Sequence, residues 1–193
     1  MKSKDKILIL DFGSQYTQLI ARRVREIGVF SEVKPSSIST EEIIKMNPSG
    51  IILSGGPETV TISSSQKVHK SLLEAKIPIL GICYGMQTIA NELGGTVVKS
   101  DIREFGHAEI SHVNQSILFD NVSFDSDSLD VWMSHGDKVE VIPENFEIIA
   151  SSKDCKVAGF QNSDSNIFGL QFHPEVTHTC LLYTSDAADE VVR

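Results

Sequence analysis

The sequence is poor in cysteine and has no long apolar run, and each shortage excludes a class of protein. The three cysteines, Cys83, Cys155 and Cys180, are odd in number and far apart, so we predict neither a disulfide framework nor a C-x-x-C metal pair. This cysteine content indicates a reducing cytoplasm. The apolar run at residues 7–10 is too short for a signal peptide, and no later run is long enough to span a bilayer.

Basic residues are also scarce. The 193-residue chain has 17 Lys and Arg against 26 Asp and Glu, a formal charge of −9. Binding to phosphates relies on clustered Lys and Arg, and here they are scattered, so we expect neither a nucleic-acid nor a membrane-surface partner. With 40% apolar residues, the chain is long enough to bury the core of one globular domain.

Strand and helix patterns alternate through the first half. The predicted strands cover residues 7–10, 29–34, 50–53 and 77–82, and helical patterns cover 14–28, 39–47, 65–76 and 83–93. Ser14 is placed to cap the first helix and Gly28 to end it, while Ser39 and Glu42 form a capping box for the second. This alternation predicts a parallel, doubly wound sheet with flanking helices.

After Gly94 and Gly95 the helical patterns give way to short β-rich segments, at residues 96–99, 105–113, 131–134, 147–151, 156–161 and 167–172. We expect antiparallel strands packed onto the sheet of the first half, with a polar loop at 120–130. The predicted fold class is α/β, a doubly wound mixed sheet with a parallel N-terminal and an antiparallel C-terminal half. One domain would span 1–179, because residues 180–193 fit neither pattern and look appended.

Cys83 is the first candidate catalytic residue. It stands in Gly81-Ile82-Cys83-Tyr84-Gly85, the form of a nucleophile elbow between a strand and a helix, where the glycines permit a crowded turn. A sulfur at a helix N-terminus is favoured as thiolate. The alternative is a buried structural cysteine.

His173 is the second candidate. It follows an apolar strand and precedes Pro174 and Glu175. In an extended segment, residues two apart face the same way, so the Glu175 carboxylate can orient the His173 ring and stabilise its charged form. A cysteine nucleophile needs such a base. The alternative is a histidine hydrogen-bonded for structure at a strand end.

The third candidate is the turn Ser54-Gly55-Gly56-Pro57. Its glycines can present backbone amides to a developing oxyanion, or the segment is simply a tight turn. No Gly-Lys-Ser or Gly-Lys-Thr follows it, so a Walker-type phosphate loop is excluded.

Together these motifs resemble the class I (triad) glutamine amidotransferases, and within that family the amidotransferase domains of GMP synthases. The segments that carry the resemblance are Ile9 to Tyr16, Ser54 to Glu58, Gly81 to Gln87, Trp132 to Asp137 and His173 to Thr179. The match covers roughly residues 5 to 179, and the sequence departs from the family after Thr179. Residues 180–193 are therefore predicted to be non-native sequence.

The resemblance implies a role for each candidate residue. Cys83 would attack the side-chain amide of glutamine, and His173, oriented by Glu175, would protonate the departing ammonia. The backbone amides of Gly56 and Tyr84 would form the oxyanion hole.

The resemblance also assigns glutamine binding to Gly55, Gln87, Ser134, His135 and Gly136. The alternatives are a solvent-facing helix position for Gln87 and a plain turn for residues 134–136.

A glutaminase implies a partner that receives the ammonia. In the GMP synthase branch this is a synthetase module, fused or separate, that aminates xanthosine monophosphate with ATP and magnesium, so no cofactor is expected on this chain. Three alternatives stay open: an amidotransferase of another pathway (anthranilate, carbamoyl phosphate or CTP synthesis), a γ-glutamyl peptidase, or a catalytically silent regulatory subunit.

Overall fold

The computed structural model describes residues 5–62, 65–120, 122, 124, 128–176 and 179, and for residues 101–103 the backbone alone. Its strands and helices are β1 (Lys6–Asp11), α1 (Thr17–Glu26), β2 (Phe30–Pro35), α2 (Thr40–Met46), β3 (Gly50–Leu53), α3 (Lys70–Leu73), β4 (Ile79–Ile82), α4 (Tyr84–Glu92), β5 (Thr96–His112), β6 (Ser128–Val141), β7 (Glu147–Ser152), β8 (Gly159–Asn162) and β9 (Ile167–Leu170). The predicted tail at 180–193 lies outside the described residues, as do Thr177 and His178 of the last family motif.

The strands form one nine-stranded sheet in the order β2-β1-β3-β4-β9-β8-β7-β5-β6. Strands β1 to β4 and β9 are parallel, and the remaining neighbours pair antiparallel. The predicted mixed α/β fold is therefore confirmed. The expected packing of the second half onto the first sheet is wrong. Strand β9 pairs directly with β4, and β8, β7, β5 and β6 follow it in the same sheet.

The predicted helix ends agree with the structure for some helices and not for others. Helix α2 has the capping box of Ser39 and Glu42, and Gly28, at φ +81°, follows the end of α1. The predicted start at Ser14 is wrong: its hydroxyl accepts the amide of Tyr16 at 3.0 Å in a turn, and α1 begins at Thr17. Within the pattern at 65–76, α3 covers only four residues.

Strands β5 and β6 are longer than their sequence patterns, whereas β8 (Gly159–Asn162) and β9 (Ile167–Leu170) are shorter than the predicted 156–161 and 167–172. Residues 96–99 and 105–112 belong to the single strand β5, whose pairing with β6 shifts register between Lys99 and Glu104. Strand β6 begins at Ser128, inside the predicted polar loop. Polar side chains are compatible with a strand here because alternate residues of β6 face away from the core.

Three apolar clusters among the described residues position the site. One packs α4 against the central strands, with Leu53, Met86 and Phe160 buried. The second lies under the antiparallel strands and includes Met133 and Phe172. The third contains Cys83 itself, with residues of β1, α1 and β4. Among the described residues, no helix combines the length and apolarity required to cross a membrane.

Candidate active site

The predicted elbow at Cys83 is present. Cys83 is the N-cap of α4, directly after β4, and has φ 52° and ψ −107°, a conformation that strains any residue with a Cβ atom. A Cβ at Gly81 would lie 2.6 Å from the backbone of Gly85, and one at Gly85 would lie 2.3 Å from the carbonyl oxygen of Leu53. Both glycines are required because backbone segments approach each other this closely.

The Cys83 sulfur is nearly buried and lies among polar atoms. It is 3.5 Å from the carbonyl oxygen of Ser134 and 3.6 Å from Nε2 of Gln171. Its position at the first turn of α4 places it near unpaired helix amides, whose partial positive charge favours an anion. The sulfur is thus held at the N-terminus of α4, between the Ser134 carbonyl and the Gln171 side chain.

His173 and Glu175 form the predicted pair. Nδ1 of His173 lies 2.8 Å from Oε1 of Glu175, and both side chains are buried. The local backbone is a turn rather than the expected extended segment, since Pro174 restricts it. The main chain of His173 is held by Trp132 and Thr179: its amide donates to the Trp132 carbonyl at 3.0 Å, and its carbonyl accepts the Thr179 hydroxyl at 2.7 Å.

The charged form of His173 is favoured. Burial alone would lower its pKa, but hydrogen bonding and charge interaction with Cys83 and Glu175 outweigh burial and raise the pKa to about 10. This is the direction that an adjacent thiolate and carboxylate produce. The contacts with Cys83 and Glu175 therefore favour an imidazolium at His173.

The turn at 54–57 lies against the same centre. A Cβ at Gly56 would lie 2.7 Å from the carbonyl oxygen of Phe12, so only glycine fits without a shift. A Cβ at Gly55 would lie 3.4 Å from Cε1 of His173. Ser54 fixes the turn, because its hydroxyl accepts the amide of Phe12 at 3.0 Å and donates to the Gly55 carbonyl at 2.8 Å.

A cleft of about 380 Å³ opens over Cys83. Seven predicted site residues line it, namely Gly56, Cys83, Tyr84, Gln87, Ser134, His135 and Gly136. Gly55, His173 and Glu175 are not among its lining residues. Sequence reasoning gave no role to Glu58, Phe105 and Asp137 on its walls or to Gln171 beside the sulfur. Glu58 and Asp137 stand in the segments that carry the family resemblance, and Gln171 is a polar residue at the end of an apolar strand.

Gln87 is not a solvent-facing helix residue. Its side chain is buried, and its Nε2 donates to the carbonyl of Asp137 at 2.8 Å and to Oε1 of Gln171 at 3.2 Å. The turn alternative for residues 134–136 is also wrong, because they lie within β6. Gln87 thus fixes this part of β6 against α4. Residues 134–136 of β6 form one wall of the cleft.

His135 is neutral, since burial lowers its pKa to about 4. Its Nε2 lies 3.0 Å from Oε2 of Glu104, and burial raises the pKa of Glu104. The wall of the cleft at His135 therefore carries no positive charge.

Comparison with known proteins agrees with this geometry. The family model of class-I glutamine amidotransferases matches residues 8–181. The GMP synthases (glutamine-hydrolyzing) of Ruthia magnifica and Teredinibacter turnerae are 56% and 53% identical to this chain over 176 and 179 residues. The alignments cover 91% and 90% of this chain but 34% of each relative, so the chain spans about a third of the length of these curated relatives.

A solved structure provides the second comparison. It is that of a Thermoplasma acidophilum protein described as one of the subunits of a GMP synthase, 30% identical in sequence, with a TM-score of 0.80, and the match covers 99% of this chain and 98% of that one. Because the family model spans most of the sequence, the chain belongs to the class-I glutamine amidotransferase family.

Proposed function

We propose that this chain is the glutaminase component of a GMP synthase, which hydrolyses L-glutamine to glutamate and ammonia. The observation that carries the proposal is the strained Cys83 beside the buried His173–Glu175 pair, at the base of a cleft large enough for an amino acid. A nucleophile, a base and a group that orients the base are the parts that acyl transfer requires.

The first step is attack on the side-chain amide. In the reactive form the proton of Cys83 resides on His173, and the thiolate attacks the amide carbon, forming a carbon–sulfur bond and an oxyanion. Because Nδ1 of His173 bonds Glu175, Nε2 is the nitrogen that exchanges the proton. The backbone amides of Gly56 and Tyr84 stabilise the oxyanion as it forms.

The second step releases ammonia. His173 protonates the departing nitrogen, the carbon–nitrogen bond breaks, and a γ-glutamyl thioester stays on Cys83. His173 then takes a proton from water, whose oxygen attacks the thioester and displaces the sulfur as glutamate forms. Glu175 keeps the His173 ring in one orientation and stabilises its positive charge throughout.

The amino-acid end of glutamine binds along the wall formed by residues 134–136, with Gly55 at the turn and Gln87 holding the wall in place. Backbone groups of this wall and of the turn supply hydrogen bonds that do not depend on protonation state.

The acceptor of ammonia is proposed from the relatives. Their printed name is GMP synthase (glutamine-hydrolyzing), and about two thirds of their length lies outside the match. We assign to that part, fused or separate, an ATP- and magnesium-dependent synthetase module that aminates xanthosine monophosphate. The glutaminase chain then needs no cofactor of its own, and its expected place of action is the cytoplasm.

Labelling with a glutamine-analogue electrophile such as diazo-oxo-norleucine tests the chemistry. We expect one label per chain, on Cys83, and neither label nor glutamine-dependent ammonia release in Cys83→Ala. The matched control is His107→Ala, at an exposed position, compared with His173→Ala. Absence of labelling in the wild-type chain, even with a synthetase module present, would favour a catalytically silent role.

Acceptor identity needs a separate assay. A GMP synthase synthetase module, xanthosine monophosphate and ATP should together raise glutaminase turnover and yield GMP. Ammonia release without any stimulation by this module would leave the glutaminase intact and assign it to another pathway.

A further inference from the structure

Three potential metal ligands meet in the protein interior, beside the β5–β6 pair. They are Glu104, His135 and Cys155, and one ligand atom from each lies within 4.8 Å of the other two. The side chains of His135 and Glu104 are 1% and 11% exposed, and Cys155 is fully buried. None of the proposed catalytic steps uses Glu104 or Cys155.

The fold brings these residues together through sheet register. Glu104 of β5 is the direct antiparallel partner of His135 in β6, so their side chains share one face of the sheet. His135 continues the inward row of Val131 and Met133, which are apolar and buried. Cys155 reaches the cluster from the turn after β7.

That turn is rigid. The Ser152 amide donates to the carbonyl of Cys155 at 2.8 Å, and the Cys155 amide donates to the Ser152 hydroxyl at 2.9 Å. The sulfur of Cys155 lies 3.3 Å from the carbonyl oxygen of Val157. The thiol is thus held in place, with only a weak partner for its proton.

Three polar atoms of the cluster are left without a hydrogen bond. Both ring nitrogens of His135 and Oε2 of Glu104 are buried and have no hydrogen-bond partner among the described residues, although Nε2 and Oε2 lie 3.0 Å apart. Leaving buried polar atoms unsatisfied costs about 1–3 kcal/mol each, and such atoms require an explanation. A cation bound by Nε2 of His135 and Oε2 of Glu104 would satisfy both of these atoms.

We propose that Glu104, His135 and Cys155 bind a divalent transition-metal ion of the zinc class. A thiolate, an imidazole and a carboxylate suit zinc or cobalt(II) rather than magnesium or calcium, which prefer oxygen ligands. Binding replaces the Cys155 sulfur–hydrogen bond with a sulfur–metal bond and releases one proton. The thiolate and the carboxylate then balance the charge of the ion, so the buried complex is neutral.

The distances suit such an ion. Bonds of about 2.0–2.3 Å in a tetrahedral site place ligand atoms roughly 3.5 Å apart. The ligand atoms lie within 4.8 Å of one another, so no separation has to contract by more than about 1.3 Å, and the 3.0 Å between Nε2 of His135 and Oε2 of Glu104 would widen by about 0.5 Å. Of the three proposed ligands, Glu104 lines a cavity of about 750 Å³, together with Met133 and Ser152 among others. The ion would join β5, β6 and the turn after β7 behind the cleft wall at 134–136.

Cobalt(II) titration of the full chain tests the proposal, because thiolate ligation gives a sulfur-to-cobalt charge-transfer band in the near ultraviolet. We expect one equivalent to give the band in the wild type and in Cys83→Ala, and zinc to displace it. Cys155→Ser should abolish the band. Glu104→Gln should weaken cobalt binding at least tenfold, because loss of a residue that only hydrogen-bonds to a metal ligand already weakens binding by about that factor.

Cys83→Ala is the matched control because the Cys83–His173 pair also offers sulfur and nitrogen. Zinc should raise the thermal unfolding midpoint of the wild type and Cys83→Ala but not of Cys155→Ser, whose native circular dichroism verifies folding. The proposal is overturned if the wild type gives no band, or if the band is lost in Cys83→Ala and retained in Cys155→Ser. Neither readout involves glutaminase activity, so this result is independent of the proposed function.

Discussion

Replacing Cys83 with glycine is expected to leave the chain more stable than replacing it with alanine. Cys83 has φ 52° and ψ −107°, where a Cβ atom costs about 1–3 kcal/mol. Alanine retains that strain, whereas glycine relieves it. Both variants remove the thiol, so their difference isolates the backbone.

The expected size follows from opposing contributions. Relief of strain, about 1–3 kcal/mol, is reduced by the greater chain entropy of unfolded glycine, about 0.4–1 kcal/mol, and by loss of one buried methyl group, about 0.8 kcal/mol. From the midpoints of these ranges we expect Cys83→Gly to be more stable than Cys83→Ala by about 0.5 kcal/mol, or roughly 1–2 °C in the unfolding midpoint.

Ala90 provides the reference. It is fully buried in the same helix, α4, and its φ is not positive. Ala90→Gly is expected to destabilise the chain by about 2 kcal/mol, through helix propensity and the lost methyl group. Urea unfolding of these variants gives the free energies. A glycine penalty at position 83 equal to that at position 90 would mean that the elbow is unstrained.

Five further substitutions and a change of pH test the site and the fold. His173→Ala should lower kcat for glutamine about 10²–10⁴-fold in steady-state assays. Glu175→Gln should lower kcat less, because orienting the base contributes less than the proton transfer itself. A larger loss in Glu175→Gln would assign Glu175 a larger role. Gly85→Ala should lower the free energy of unfolding by about 1–3 kcal/mol or more, because its Cβ would lie 2.3 Å from the carbonyl oxygen of Leu53. Gly136→Ala should not lower the free energy of unfolding in this way, because the new Cβ would meet open space. The pKa of His173 is raised from 6.5 to about 10, so its contribution to stability is fully present below pH 6.5 and is lost as the pH rises through about 10. Urea unfolding at both ends of this range should show a larger loss in the wild type than in His173→Gln, and equal losses would contradict the raised pKa.

Individual helices and strands were predictable where interactions between residues close in sequence determine them. The capping box of α2 and the apolar run of β3 act within a few residues, and the structure has them where the sequence placed them. Gly81 and Gly85 marked the elbow because crowded backbone tolerates no Cβ there. Where a long-range contact decided the outcome, prediction was less accurate: β5 is one strand because it pairs along β6.

The sequence by itself determined the strand-turn-helix units, the strained cysteine between β4 and α4 and the family resemblance, because these depend on neighbouring residues. Only the tertiary structure decided that β9 pairs with β4, with Leu170 opposite Ile82. That pairing brings Cys83 and His173 to the same edge of the sheet. The tertiary structure also placed Glu104, His135 and Cys155 together. The sequence could not predict this, because no local pattern encodes cross-strand register or the packing of a distant turn.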